Sequence, residues 1–259
     1  AWIDNASGVA RYGAGGGVVW DSNPEEEHAE LISKTQILNQ AIAWEDFALF
    51  ETMAWSPQTG PKRLDQHLLR MAVSAQCFGL MFDRPRALEA IALAVGRLDC
   101  PASASRFRLR LTLDRAGDFA AQLEPAPESA ATPQALALVP WRVNSQDPRL
   151  HHKTTRREVY VRARESVAKI HQLVHAEPLL VNERGEITET DIANVVFRLA
   201  GQLYTPPQRC GLLPGVMRDV LLQQGELHER VLPVEQLADV EAFYLINDLR
   251  GWRDATLLS

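Results

Sequence analysis

The chain has 259 residues, an apolar fraction of 46% and a formal net charge of −6, which suits a soluble globular protein of two modest domains or one large one. The acidic balance argues against a general nucleic-acid binder, although local arginines inside an acidic protein still serve anionic substrates. Cys77, Cys100 and Cys210 are odd in number and far apart; they suggest neither a disulfide framework nor a zinc spacing, so a reducing cytoplasm is expected and no metal site. No apolar run approaches the roughly 20 residues of a membrane span, and no basic start followed by an apolar core marks a signal peptide.

The first section, residues 1–38, reads as a Gly-rich turn (Gly13 to Gly17), a short strand (Val18 to Trp20) and a helix. Asn23 as cap, Pro24 at the first helical position and Glu26 at capping-box spacing mark that helix start. Residues 39–123 form the second section. Phe47 to Trp55 reads as a strand, and a helix follows from Asp65 to about Phe78. Asp65 is its expected cap, Leu64 and Leu69 its hydrophobic staple, and Leu68, Met71, Ala72, Ala75 and Phe78 its apolar stripe. A second helix covers about Pro85 to Gly96. Ser105 to Asp114 alternates, with Phe107, Leu109, Leu111 and Leu113 on one face and Arg106, Arg108, Arg110 and Thr112 on the other, the pattern of a half-buried strand. Its arginines are either a solvated face or a row of cations lining a pocket.

Residues 124–133 (EPAPESAATP) have no apolar period and read as a linker. In the third section, residues 134–259, strands are expected at Ala135–Val139, Leu179–Val181, Ala193–Leu199, Leu203–Thr205 and Ala242–Ile246. Helices are expected from Arg156 to about Leu173 and from Pro214-Gly215 to about Gln223. Strands and helices mix in both halves, so the class is α/β or α+β.

Six segments then follow one another between residues 47 and 252: FALFETM, HLLRM, HKTTRREVY, ITETDIANVVF, LPGVMR and NDLRGW. In this order and at this spacing they resemble the fold-type IV family of pyridoxal 5′-phosphate (PLP) enzymes, which includes branched-chain and D-amino acid aminotransferases and aminodeoxychorismate lyase. The resemblance implies a two-domain fold like that of D-amino acid aminotransferase, with the active site between the domains, PLP as cofactor and a homodimeric assembly. It makes Lys153 the Schiff-base lysine, a role that needs an amine neutral for part of the time. It places Glu189 against the pyridine nitrogen, which a carboxylate keeps protonated, with Asn194 steadying the turn. Arg70 matches the family's phosphate arginine. Gly215, Val216 and Met217 open a helix whose free N–H groups attract anions; Met217 stands where the family often has threonine, which removes a hydroxyl donor. Asn247 lies in the loop that approaches the phosphate side. Tyr160 either bonds the cofactor or packs the helix.

The first section, RYGAGGGVVWDSNPEEEHAELISK, resembles the C-terminal end of the chorismate-binding subunit of aminodeoxychorismate synthase, in which glutamates near Glu27 and Glu30 help bind magnesium. With most of that domain absent, it reads as a remnant or the end of a fusion partner, and other synthase subunits are possible partners. The juxtaposition points within the family to aminodeoxychorismate lyase of folate biosynthesis, which splits 4-amino-4-deoxychorismate into 4-aminobenzoate and pyruvate. That substrate is a small dicarboxylate, for which Arg108, Arg110, Arg156 and Arg157 are candidate partners. A D-amino acid or branched-chain aminotransferase shares every cofactor residue, and a non-catalytic module of a chorismate enzyme is the remaining alternative.

Overall fold

The computed structural model describes residues 2–4, 9–11, 23, 47–98, 106–127, 133–171 and 175–258. In the first section, β1 (Trp2–Asp4) pairs antiparallel with β2 (Val9–Arg11). The expected turn, strand and helix of residues 13–38, the glutamates at 27 and 30, and Cys100 lie outside the described residues.

A four-stranded antiparallel sheet follows, built from β3 (Leu49–Ser56), β4 (Gly60–Pro61), β5 (Phe107–Leu113) and β6 (Phe119–Pro125) in the order β4-β3-β5-β6. Alternation along β5 decides what each face does. Phe107, Leu109, Leu111 and Leu113 are fully buried against α1 (Leu64–Phe78) and α2 (Arg84–Gly96), where they meet Leu68, Met71, Ala75, Ala87 and Ile91. Each such side chain contributes about 1.5–3 kcal/mol by leaving water. The opposite face presents Phe50, Thr52, Arg108 and Arg110 to a cavity, so these two arginines are pocket cations, whereas Arg106 is exposed and donates to Leu249 O.

Two local expectations are corrected. Asp65 does not cap α1: the cap position is Arg63, in the left-handed region at φ 49°, with no side-chain capping bond. The Arg63 guanidinium instead pairs with Asp248, a long-range contact that no local pattern encodes. Leu69 is 65% exposed, so it forms no staple with Leu64. At α2 the local signal holds, because Asp83 accepts a bond from the Arg86 N–H at 3.1 Å. Strand β6 runs through Pro125, two residues into the stretch read as linker.

The second sheet has seven strands in the order β11-β10-β9-β12-β13-β7-β8. They are β7 (Gln134–Leu138), β8 (Glu177–Leu179), β9 (Asn194–Leu199), β10 (Gln202–Thr205), β11 (His228–Glu229), β12 (Ala242–Asn247) and β13 (Gly251–Leu257). Most were expected; β11 and β13 were not, and in β13 only Ala255 and Leu257 of GWRDATL pack on the core, the strand being held by pairing with β12 and β7 on either side. Helix α4 (Glu158–His171), which follows the short α3 (Pro148–His151), starts two residues later than expected. It covers one face through Tyr160, Ala163 and Val167. Helix α5 (Val216–Gln223) packs Met217 and Leu221 against Val196 and Ile246. Among the described residues no helix is long and apolar enough to cross a membrane.

The two sheets meet at β3. Strand β4 covers only the far end of β3, at Trp55 and Ser56. The near end instead receives the segment 153–155: the Phe50 N–H donates to Lys153 O at 2.9 Å and the Thr155 N–H to Ala48 O at 2.8 Å. The Ala48 N–H completes the junction on Thr155 Oγ1 at 2.9 Å. Lys153 is thereby fixed to both halves of the molecule by its own backbone.

Candidate active site

A cavity of about 250 Å³ lies between the sheets. Every residue proposed from the sequence as holding the cofactor lines it: Arg70, Lys153, Glu189, Asn194, Gly215, Val216, Met217 and Asn247. So do the substrate candidates Arg108, Arg110 and Arg157. Arg156 does not; its Nε donates to Glu158 Oε1 at 2.8 Å, because it stands one residue before Arg157 and points away from the cavity face.

The Lys153 Nζ lies 4.7 Å from the centroid of the Phe50 ring. Withdrawal from water, and after it the nearby Arg70 guanidinium, lowers the amine to about 7. A lysine with that value is substantially neutral at physiological pH, which a nucleophilic or proton-transferring amine requires.

Glu189 is 4% exposed. The Tyr160 hydroxyl donates to its Oε1 at 2.8 Å and Asn194 Nδ2 donates to Oε2 at 3.2 Å. Burial nevertheless raises its carboxyl to about 8: two neutral donors do not replace lost hydration. Such a carboxylate is completed by a cationic N–H. Tyr160 therefore supports Glu189, and its own hydroxyl is held well above the usual range by burial and by that carboxylate.

The other end of the cavity is built to take an anion. Gly215 precedes α5, whose first N–H groups lack intrahelical partners. Asn194 Nδ2 donates to Leu213 O at 2.9 Å, and its Oδ1 comes so near Gly215 that a Cβ there would sit 2.0 Å from it. Glycine is required here for close approach, not for backbone freedom, since its φ is −70°. The Met217 side chain fills the apolar cluster under α5, so a hydroxyl in its place would cost packing. Arg70 gives its Nη1 hydrogen to Pro214 O at 2.9 Å and clasps Glu51 through Nε at 2.9 Å and Nη2 at 2.5 Å. These contacts use three of its five N–H groups, and two remain for a phosphate.

Across the cavity, Arg110 stacks over Phe50 at 4.0 Å and makes no hydrogen bond or ion pair among the described residues. Burial, then the charges of Arg108 and Arg157, push its pKa down, the mark of a cation cluster short of anions. Arg108 is shared with Glu124 at 2.6 Å. Arg157 donates to Asp191 O and stacks on Tyr160 at 4.6 Å. Arg250, which carries no sequence signal of its own, also lines the cavity. Also missed were Glu51, His67 and Asp248. All four stand inside the quoted motifs FALFETM, HLLRM and NDLRGW, but isolated charged residues on three elements carry no spacing signal.

A lysine held near neutrality, a buried carboxylate wanting a protonated ring nitrogen and an anion cradle at a helix start together define a PLP enzyme of fold type IV. Residues 48–258 match the amino-transferase class IV family, and the chain belongs to that family. The family is PLP-dependent, and PLP is the cofactor. A Schizosaccharomyces pombe protein with the provisional name aminodeoxychorismate lyase is 30% identical over 211 residues, covering 80% of this chain and 87% of that one. The crystal structure of a Mesorhizobium loti protein, provisionally named an amino-acid aminotransferase, is 39% identical. It aligns at a TM-score of 0.73, over 82% of this chain and 100% of that one. A Legionella pneumophila structure provisionally named 4-amino-4-deoxychorismate lyase shares the fold, at 22% identity and a TM-score of 0.70 over 82% and 83% of the two chains.

Proposed function

We propose that this class IV enzyme is a 4-amino-4-deoxychorismate lyase, forming 4-aminobenzoate and pyruvate. The observation that carries the reading is the 30% identity, over most of both chains, to the fission-yeast protein provisionally named for that activity. The cavity chemistry is compatible. The substrate has two carboxylates, and Arg110, Arg157 and Arg250 line the same cavity as Lys153. In this reading residues 39–123 and 134–259 are the two domains, two copies pair as a homodimer, and the enzyme works in the cytoplasm.

Lys153 would hold the cofactor, Glu189 would meet its ring nitrogen, and Arg70 with the N–H groups of Val216 and Met217 would take its phosphate. When bound, PLP supplies an electron sink for the charge left on carbon as a proton departs. Once the amino group of the substrate has taken its place on the cofactor, the freed Lys153 amine would remove the proton at C4 of the substrate. Glu189 keeps its partner nitrogen protonated throughout, with Tyr160 and Asn194 fixing the carboxylate plane. Arg110 and Arg157 orient the substrate carboxylates. Departure of the C3 enolpyruvyl ether leaves an aromatic ring, which makes the elimination downhill.

The 39% identity to the Mesorhizobium loti protein favours a second reading, amino transfer. Purified protein loaded with PLP is supplied with 4-amino-4-deoxychorismate, and separately with D- and branched-chain amino acids plus 2-oxoglutarate. Appearance of 4-aminobenzoate with equimolar pyruvate supports the lyase. Glutamate formation without 4-aminobenzoate selects the transaminase.

A further inference from the structure

His67 sits on α1 three residues before Arg70, on the same helix face, and is 1% exposed. Its Nδ1 is 2.7 Å from Glu51 Oε2 and its Nε2 is 3.0 Å from Asp248 Oδ2. Ionised carboxylates only accept hydrogen bonds, and a neutral imidazole has a single N–H. A neutral ring would therefore set a lone pair against one of the two carboxylates. The geometry calls for the doubly protonated ring, which donates to both.

We propose that His67, as an imidazolium, is a positioning residue that holds the phosphate-gripping arginine and the turn over the cavity in one hydrogen-bonded chain. On one side of the ring, Glu51 receives His67 and clasps the Arg70 fork, and Arg70 reaches on to Pro214 O, one residue before Gly215. On the other side, Asp248 belongs to the turn after β12. There the Arg250 N–H donates to Asn247 Oδ1 at 2.7 Å and Asn247 Nδ2 donates to Ile192 O at 3.1 Å. One charged ring thus links the anion end of the cavity to its lip, and links the four-stranded sheet to the seven-stranded one.

The groups facing the ring set its charge. Glu51 on β3 and Asp248 in the turn favour the cation. Arg70 on the same helix opposes it, as does burial, yet the balance raises the His67 pKa. Arg63 at the entry of α1 and Lys62 after β4 bear on Asp248, and Asp219 on α5 acts on Arg70. When His67 loses its proton, Glu51 keeps Arg70 and Asp248 keeps Arg63. A neutral ring keeps only one N–H, so its bridge between Glu51 and Asp248 breaks, while Arg63 on Asp248 and Arg70 on Pro214 O still join the two sheets. A group whose folded pKa is raised makes its contribution at lower pH and loses it as pH rises through that value, so the phosphate grip weakens on the alkaline side.

The inference rests on the assignment of Arg70 to the cofactor phosphate, and its test needs no substrate, so it stands apart from the choice between lyase and transaminase. Apo-protein is titrated by absorbance with PLP and with pyridoxal, which lacks the phosphate. The ratio of their dissociation constants isolates the phosphate grip. Work above pH 7 keeps the phosphate, with its second pKa of about 6, doubly charged. The wild-type ratio should favour PLP and fall at alkaline pH. In His67→Gln it should be lower by about tenfold, the order of one charge-assisted hydrogen bond, and independent of pH. Asp248→Asn removes one of the two charges that raise the ring, so its alkaline fall should move to lower pH. A His67→Gln profile that matches wild type overturns the proposal, as does a wild-type ratio near one. If His67→Gln does not fold, an Asp248→Asn fall at an unchanged pH overturns it equally.

Discussion

Gly215→Ala tests the geometry of the anion cradle. The added methyl would sit 2.0 Å from Asn194 Oδ1 and 3.6 Å from the Cβ of Arg218, and with φ at −70° the backbone accepts alanine without strain. Two responses are open. If Asn194 stays, the overpacking costs about 1–3 kcal/mol. If it swings away, its bonds to Glu189 and Leu213 O are lost at about 1 kcal/mol each. Either path costs about 2 kcal/mol, or a fall in Tm of about 4–8 °C at this chain size. Denaturant melts of apo-protein give the number. Asn194→Ala supplies the control: the double variant should be no less stable than Asn194→Ala alone, because the clash has no partner left, and the coupling should be about 2 kcal/mol. A Gly215→Ala protein as stable as wild type, or two changes whose costs simply add, would refute the close approach.

Lys153→Ala should take up no covalent PLP after borohydride reduction, whereas mass spectrometry of wild-type peptides should find the reduced cofactor on Lys153. The rate of PLP attachment should rise with pH and level off above about 7, the value to which burial and Arg70 lower this amine; a rate still climbing towards pH 10 would mean an ordinary lysine. Glu189, raised to about 8 by burial, binds its proton more tightly folded than unfolded. It therefore makes apo-protein lose stability as pH rises from about 4.5 to 8. Glu189→Gln should remove that slope relative to wild type in paired melts, while abolishing turnover. Arg110→Ala should raise KM for a dicarboxylate substrate by roughly 10–100-fold, the scale of a charge-assisted bond, and leave PLP affinity unchanged in the absorbance titration.

Local chemistry made much of this protein legible in its sequence. Period-2 alternation gave β5 and its buried face, the 3.6-residue stripe gave α1, and Asp83 and Pro85 mark the start of α2. The six ordered motifs brought Lys153, Glu189, Asn194, Arg70 and the Gly215 helix start to one site, and they do line one cavity. What the chain order could not contain was the set of contacts made across the fold. The start of α1 is set by Arg63 reaching Asp248, 185 residues away, so the local cap signal at Asp65 misled. β13 is a strand because it has neighbours on both sides, not because its residues alternate. Glu51, His67 and Asp248 are unremarkable letters in three separate motifs. Only packing the two sheets together buries them, and burial is what turns three charged side chains into a hydrogen-bonded unit: away from water, each charge must be met by another.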